Sequence, residues 1–441
     1  MKYDLVVCGA GPAGAAAAIT AARNGLKVCL VERDGCAGGM ATSALVNPWM
    51  GHWFWSPEKK QWLSLGGGFF NEIVREMRAV HAVGAALNSA AFDEEQLKCV
   101  YDRLLRDAGV EVLYHALVTG VRRKGRTLDR IVVEGKGGRQ EITGTSFIDA
   151  TGDGDLADLA GCEAAVGRPQ DGLTQAMTLS FRLANVNKAP LLATGDLAKA
   201  RALVDTYFQA ARANGSLDYP HRDFIHFYDY PRPGVLHFNM TRINQVSGLS
   251  LRDLTKAEIE GRRQAALISD WLIRTVPYFK DAYLAKLAAH VGVRETRHVQ
   301  GQYFMTHEDV ASGRKFPDGI ARSAYIIDIH SPVGSGFDHE VKGTKGEAKQ
   351  SYAPPVGDYY EVPFRSLVPL AVDNLLVACR ALSASHAASA AVRVMATMMA
   401  VGEAAGLAAA LIRTKKTTFP ELDGEEIRAR LPYLDREPEE F

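Results

Sequence analysis

The chain has 441 residues, 47% hydrophobic and 23% charged, a globular composition long enough for two domains. Lys plus Arg and Asp plus Glu both total 51, so the formal net charge is zero, and bulk charge gives no reason to expect a nucleic-acid partner or an acidic membrane surface. The six cysteines, at 8, 29, 36, 99, 162 and 379, form no C-x-x-C pair; this removes the sequence case for an iron–sulfur cluster, a zinc knot or a redox dithiol and predicts free thiols in a reducing compartment.

The N-terminus enters a strand within a few residues and lacks the marks of a secretory leader, which predicts a cytoplasmic location. "YDLVVCGAGPAGAAAAITAARNGLKVCLVER" reads as strand, turn, helix, strand. Leu5 to Cys8 is the first strand, Pro12 to about Asn24 the helix ended by Gly25, and Leu26 to Val31 the second strand, closed by Glu32. Gly9, Gly11 and Gly14 fit G-x-G-x-x-G. Gly9 allows the tight turn, Gly11 lets the backbone approach a pyrophosphate, and Gly14 with its alanine neighbours, Ala13 among them, brings helix and sheet close. The helix start at Pro12 stabilises phosphates, and Glu32 supplies the ribose acceptor.

The next stretch separates FAD from NAD. Gly38 and Gly39, with Met40, Ala41 and Thr42, give a second close backbone approach that a nicotinamide dehydrogenase does not need. Trp53, Trp55 and Pro57 of "GHWFWSPEKKQW" form an aromatic cluster that lines a pocket or packs at a subunit interface. Downstream, a strand through Phe147 and Ile148 delivers Ala150, Thr151, Gly152 and Asp153, a small turn with a carboxylate for the pyrophosphate or ribityl. The three pieces together predict one FAD, bound non-covalently.

From about 165 to 360 the βαβ rhythm stops. Leu173–Val186 and Arg232–Val246 alternate like strands, Leu251–Phe279 is a long amphipathic helix, and Val293–Gly301 is another strand. Arg294, Glu295, Arg297 and His298 place four ionisable groups in five positions. They form either a salt bridge between strands or, through Arg294 and His298, a contact to an anionic or hydroxylated substrate. Asp328 and His330 share one strand face, as a turn-stabilising pair or as proton carriers. No third ligand stands at useful spacing, so no metal is expected.

"NLLVAC" is the last strand, and Arg380 to Ser385 a turn with Ser383 and Ser385 as N-caps of a helix running to Ile412. This segment is too interrupted by Arg393 and Glu403 to span a bilayer. His386, Ser389 and Arg393 share a face of that helix. In a segment this apolar they form a buried stripe facing the site, with Arg393 needing a partner and His386 an acid/base or a structural donor.

"GAGPAG", "ER" (Glu32 and Arg33), "GGMAT", "DATGDGDLA", "RETRHVQGQYFMTHEDV", "IDIH", "VPFRSLVP" and the C-terminal segment together resemble FAD-dependent oxidoreductases of the two-dinucleotide-binding-domain type, related to fumarate reductase and heterodisulfide reductase flavoproteins. The resemblance covers nearly the whole chain. It implies an α/β fold: a Rossmann-like FAD-binding domain with an inserted β-rich α+β substrate domain. The FAD domain would take residues 1–165, with a cap excursion at about 43–90, and 361–441; the substrate domain would take 166–360. The resemblance also implies adenine contacts from the backbone of Val118, and flavin contacts from the turn at Arg380 and Ser383 and the helix N-terminus after it. Cys379 stands where the family has glycine, and His298 where it has a second arginine. The extra cysteines of heterodisulfide reductase subunits and a second G-x-G-x-x-G are absent.

The expected activity is hydride transfer between flavin N5 and a small polar organic substrate, with His386, Arg393, Arg294, His298 and His330 as catalytic candidates and an electron donor or acceptor of unidentified nature. Self-association is left open. Two alternatives stand beside it: a flavin monooxygenase or halogenase served by a reductase, and a non-catalytic electron-transfer subunit. A closed polar pocket beside the flavin would favour an enzyme over the last.

Overall fold

The computed structural model describes residues 2–336 and 352–440. Positions 337–351 of the expected substrate domain lie outside the described residues. β1 (Lys2–Cys8), α1 (Pro12–Arg23), β2 (Val28–Val31) and β3 (Glu111–Leu113) open the chain's main sheet. β4 (Leu117–Lys124), β5 (Thr127–Gly135) and β6 (Gly138–Asp149) complete its path, in the order β3-β2-β1-β6-β5-β4. The pairs β3–β2, β2–β1 and β1–β6 are parallel, while β5 pairs antiparallel with the first half of β6. The inner stretches Leu5–Cys8 and Val28–Val31 are apolar and buried because both faces of the sheet are covered there.

The fold is thus mixed α/β with a parallel sheet at its centre, the class the sequence implied. The chain returns to this sheet at the end: Leu375–Val377 lies parallel to the second half of β6. The expected single C-terminal helix is two, His386–Val392 and Met395–Lys415, because Val394 is extended at φ −70° and ψ 147°.

The longer helix, Met395–Lys415, is apolar and long enough by composition to cross a bilayer, contrary to the expectation from Arg393 and Glu403: Arg393 falls before its start. Its most apolar window is 78% buried inside the protein. Glu403 is not stranded there. Its Oε2 accepts from the Phe69 N–H and the Tyr433 hydroxyl, each at 3.0 Å.

That helix packs on α1. A Cβ on Gly402 would lie 2.0 Å from the Ala13 carbonyl oxygen, and one on Gly406 2.5 Å from that of Ala17. The two contacts advance by four residues on both helices, so the helices run parallel and their N-termini share one end. The small residues of "AVGEAAGLAAA" follow from this close approach.

The middle of the chain builds a second core. Phe181–Ala184, Phe227–Asp229, Leu236–Phe238 and Tyr283–Leu287 form a four-stranded sheet. Phe181, Phe227, Phe238, Ile268 and Leu272 are buried together beneath the amphipathic helix Leu251–Thr275. The strand expected over Val293–Gly301 shortens to Arg297–Val299. Met305, Val310, Ile320, Ile327 and Ile329 pack with the first core, so the part of 166–360 beyond about 300 belongs physically with the sheet of β1.

A buried ion network ties the two cores. Glu94 is fully buried; its Oε1 pairs with Arg182 and with Lys286 Nζ at 2.9 Å, and its Oε2 accepts from the Tyr230 hydroxyl at 2.8 Å. Burial works against its charge, but Arg182 and Lys286 outweigh it and bring its pKa to about 2.

Two outcomes are expected. Gly402→Ala should cost about 1–3 kcal/mol in urea denaturation, because the methyl meets backbone rather than a movable side chain; an unchanged midpoint would show that the helices slide apart freely. Glu94→Ala should cost about 3–5 kcal/mol at neutral pH by leaving the buried Arg182 without its carboxylate. Since the folded pKa lies below the unfolded value of 4.5, the stabilisation is complete above that value and lost as pH falls toward 2. A wild-type-minus-mutant difference that does not shrink over that window would contradict this account.

Candidate active site

Gly9 holds φ +97°, and a Cβ there would strike the Ala150 carbonyl oxygen at 2.3 Å. Gly14 is equally excluded from carrying one, by the Gly9 carbonyl oxygen at 1.8 Å. Gly11 differs: nothing lies within 4 Å of its Cβ position. This turn therefore presents open backbone exactly once, at the start of α1, whose N-terminus has no side-chain cap. Its first free N–H groups point at that opening, an arrangement suited to a diphosphate.

Gly38 and Gly39 brace this turn. Gly39 sits at φ +48° with its Cβ position 2.9 Å from Gly11 Cα, so the second glycine pair packs on the first. Glu32 closes the nucleotide end. Its Oε2 accepts from the Ala10 N–H at 2.6 Å and its Oε1 from the Asp34 N–H at 2.9 Å. Burial raises its pKa against these hydrogen bonds.

These groups line one cavity of about 400 Å³. Gly11, Pro12, Ala13, Glu32, Arg33, Gly39 and Met40 bound it on one side; Ala150, Thr151, Gly152 and Arg380 continue it. Arg380 pairs with Asp153, which also accepts from the Thr296 hydroxyl at 2.8 Å. Val394, Met395 and Met398 reach the same cavity. The helix Met395–Lys415 begins there without a side-chain cap, whereas Ser385 caps the shorter helix by accepting from the Ala388 N–H at 3.2 Å. The uncapped positive end at the cavity thus comes from the second helix, not from the one after Ser383 and Ser385.

A polar chamber opens from the same cavity. Arg222, His226, Tyr228, His237, Asn239, Arg294, Tyr325, Asp328, His330 and Arg393 line it. Asp328 organises one wall: its Oδ2 accepts from the Tyr325 hydroxyl at 2.8 Å and lies 3.4 Å from both His330 Nε2 and Arg393 Nη2. Burial opposes its charge, but His330 and Arg393 hold its carboxyl well below the usual range. Burial, with Arg294 nearby, pushes His330 down to about 3. Its Nδ1 faces Arg242 Nη2 at 2.9 Å, so that nitrogen accepts and Nε2 carries the proton. On another wall the Tyr228 hydroxyl meets His226 Nε2 at 2.9 Å.

The structure brings Arg294, His330 and Arg393 of the catalytic candidates into this chamber, though Asp328 and His330 sit in an irregular stretch after Gly319–Ser323 and not on a strand. It places His298 and His386 elsewhere. Both bond the same oxygen, Oε1 of the buried Glu295, at 2.8 and 2.6 Å. Burial disfavours the Glu295 charge, but these histidines outweigh it and lower its pKa to about 2. Neither lines the cavity, so the helix stripe at His386 and Arg393 divides between two environments.

Ser383 is also committed elsewhere, accepting from the Gly301 N–H at 3.0 Å. The Thr42 hydroxyl donates to the Ala37 carbonyl at 2.9 Å, and Ala41 is buried beside it; both shape the turn from behind. Val118 pairs with Val133 within the antiparallel extension and does not reach the cavity. Trp53 and Trp55 form a hairpin with Gln61–Ser64, outside the cavity, with Trp55 edge-on to Trp62. No cluster of three metal-ligating side chains occurs among the described residues.

Sequence reading passed over Arg222, His226, Tyr228, His237, Asn239 and Tyr325. The signal was present for most of them. In "HRDFIHFYDY", Arg222, Phe224, His226 and Tyr228 face the cavity while Ile225 and Phe227 enter the core, the period-two alternation of a strand. His237 and Asn239 alternate in the same way with Leu236 and Phe238.

The sequence profile of a family described as FAD dependent oxidoreductase matches residues 4–431. A thioredoxin reductase of Ureaplasma parvum serovar 3 (strain ATCC 700970) is 49% identical over 49 residues, 11% of this chain; the match spans only 16% of that relative's length. Among solved structures, a geranylgeranyl bacteriochlorophyll reductase-like protein of Thermoplasma acidophilum is 12% identical with a TM-score of 0.45, over 99% of this chain and 92% of that one. The flavin-dependent brominase Bmp2 is 11% identical with a TM-score of 0.46, over 99% and 83%.

Glu32→Ala should weaken FAD binding by about 1–3 kcal/mol, since it removes an acceptor at the ribose end and leaves the buried Ala10 N–H unpaired. Titration of the apoprotein with FAD measures this, and an unchanged affinity would detach Glu32 from the nucleotide.

Proposed function

The chain belongs to the FAD-dependent oxidoreductase family, and from that premise we propose that it is a dehydrogenase or reductase that moves a hydride between FAD and a small polar organic substrate held in the chamber. The single observation that carries this reading is the chamber itself: a wall of arginine, tyrosine and histidine side chains continuous with the glycine turn. An electron-transfer subunit has no use for such a pocket. When bound, FAD supplies a carrier that takes up or returns two electrons as a hydride.

The protein's own part is to hold the substrate and manage the proton. Asp328 is poorly suited to take one, since His330 and Arg393 favour its ionised form. Burial, with Arg201 and Arg222 nearby, holds His226 well below its ordinary pKa, and burial raises that of Tyr228. The pair is therefore a neutral phenol against a neutral imidazole. In the reducing direction Tyr228 gives its proton to a substrate heteroatom and the phenolate is reprotonated by solvent, while His226 fixes the phenol oxygen. Non-covalent binding of FAD fits the same picture: burial pushes the thiol of Cys379, at the cavity wall, up to about 12, leaving it a poor nucleophile.

Anaerobic screening for compounds that bleach the flavin tests the activity. With a compound so identified, Tyr228→Phe should slow flavin reduction by roughly 10²–10⁴-fold while FAD content is retained. A variant reduced at the wild-type rate removes Tyr228 from the chemistry, and a screen in which no organic substrate bleaches the flavin counts against the reading as a whole.

A further inference from the structure

Among the described residues, three guanidiniums, Arg222, Arg294 and Arg393, line the chamber with one carboxylate, Asp328, while Glu32 and Asp34 lie on the nucleotide side of the same cavity. Among these described residues, three positive charges less one negative leave an excess of two. A fourth guanidinium, Arg242, stands behind His330 and adds to the excess. Buried charge of one sign is costly unless something neutralises it.

The described residues do not saturate these groups. Arg222 is 4% exposed and spends Nε and Nη2 on the Asn239 carbonyl, at 3.2 and 2.7 Å, with Nη2 also 3.0 Å from Asn239 Oδ1. Its Nη1 bonds nothing among the described residues. Arg294 uses one nitrogen, Nη1, on the Ala176 carbonyl. Arg393 reaches the Asp328 carbonyl at 3.2 Å and its Oδ2 at 3.4 Å through Nη2, and its buried Nε has no partner among the described residues. Each arginine is thus held by the backbone carbonyl of another residue, Asn239, Ala176 or Asp328, and keeps further N–H groups for a ligand. Burial, with the other arginines close by, pushes the Arg294 guanidinium well below its ordinary value, the direction expected of a cation lacking its counter-ion.

The three come from separate segments: one precedes Phe227–Asp229, one precedes Arg297–Val299, and one stands between the two C-terminal helices. Guanidinium forks match planar carboxylates two bonds at a time, and forks from separate directions match carboxylates at separate ends of a molecule. The glycine turn and the α1 N-terminus offer a different positive site for the diphosphate of FAD, so the arginines are left for something else.

We propose that the substrate is a small organic dianion, a dicarboxylate, gripped by Arg222, Arg294 and Arg393 with Asp328 holding Arg393 in place. This rests on the hydride-transfer reading for the word substrate, but the anion site can be tested without turnover. The holoenzyme would be titrated at constant ionic strength with malonate, succinate and glutarate, following the flavin absorbance, with succinamide and inorganic phosphate as comparisons. At least one dicarboxylate should perturb the spectrum saturably, at a concentration ten-fold or more below any effect of succinamide or phosphate. Arg222→Gln and Arg294→Gln should each raise its Kd at least ten-fold with FAD content unchanged. The wild-type comparison decides the matter even if a variant fails to fold.

Absence of saturable binding by any of the three, tighter binding of phosphate or succinamide, or folded Gln variants that bind as wild type would each overturn the proposal. A dicarboxylate that binds while no compound in the broader screen bleaches the flavin would support the anion site and count against hydride transfer. Neutral compounds that bleach the flavin while dicarboxylates do not bind would do the reverse.

Discussion

Two helices lying parallel at backbone contact set the geometry of everything else. Gly402 against Ala13 and Gly406 against Ala17 bring α1 and Met395–Lys415 together in the same direction. Parallel helices align their dipoles side by side, which is repulsive, and neither N-terminus here has a side-chain cap. Both positive ends open on one cavity. An anionic cofactor relieves the repulsion and occupies the free N–H groups at once. An uncapped pair of positive helix ends at one cavity is thus suited to the diphosphate of the FAD that the family uses.

The break at Val394 belongs to the same constraint. Had the C-terminal segment run on as one helix from His386, no uncapped N-terminus would open beside Met395. The break instead turns Arg393 toward Asp328 and starts a fresh helix at the cavity. His386, on the earlier helix, is left to bond Glu295 together with His298. That buried trio shows how a polar stripe on an apolar helix can serve two ends: one residue reaches the chamber, and another fastens the helix to the segment that also carries Arg294.

The chamber shows a further division of labour. The sheet through Phe227–Asp229 and Leu236–Phe238 buries Phe227, Leu236 and Phe238 on its core side. The residues between them, His226, Tyr228 and His237, are carried to the other side. The core that holds these strands flat therefore also fixes the spacing of the polar wall. Glu94, joined to Arg182, Lys286 and Tyr230, keeps that sheet in register with the first core.

The sequence by itself determined the nucleotide end of this protein. Gly9, Gly11, Gly14 and Glu32 fall within twenty-four residues of one strand–turn–helix–strand unit, and that pattern of residue types is readable without knowing the rest of the fold. The second glycine pair and the strand leading to Ala150 were legible for the same reason. Only the tertiary structure decided the polar chamber. Arg222, Tyr228, Arg294, Asp328 and Arg393 are far apart in the chain, and each alone reads equally well as a surface charge or a structural bond. His298 and His386 show the converse: residue type suggested chemistry, and packing gave both to Glu295. A turn is specified by neighbours in sequence, but a chamber is specified by which side of a sheet each residue falls on and by which buried charges are left without a partner.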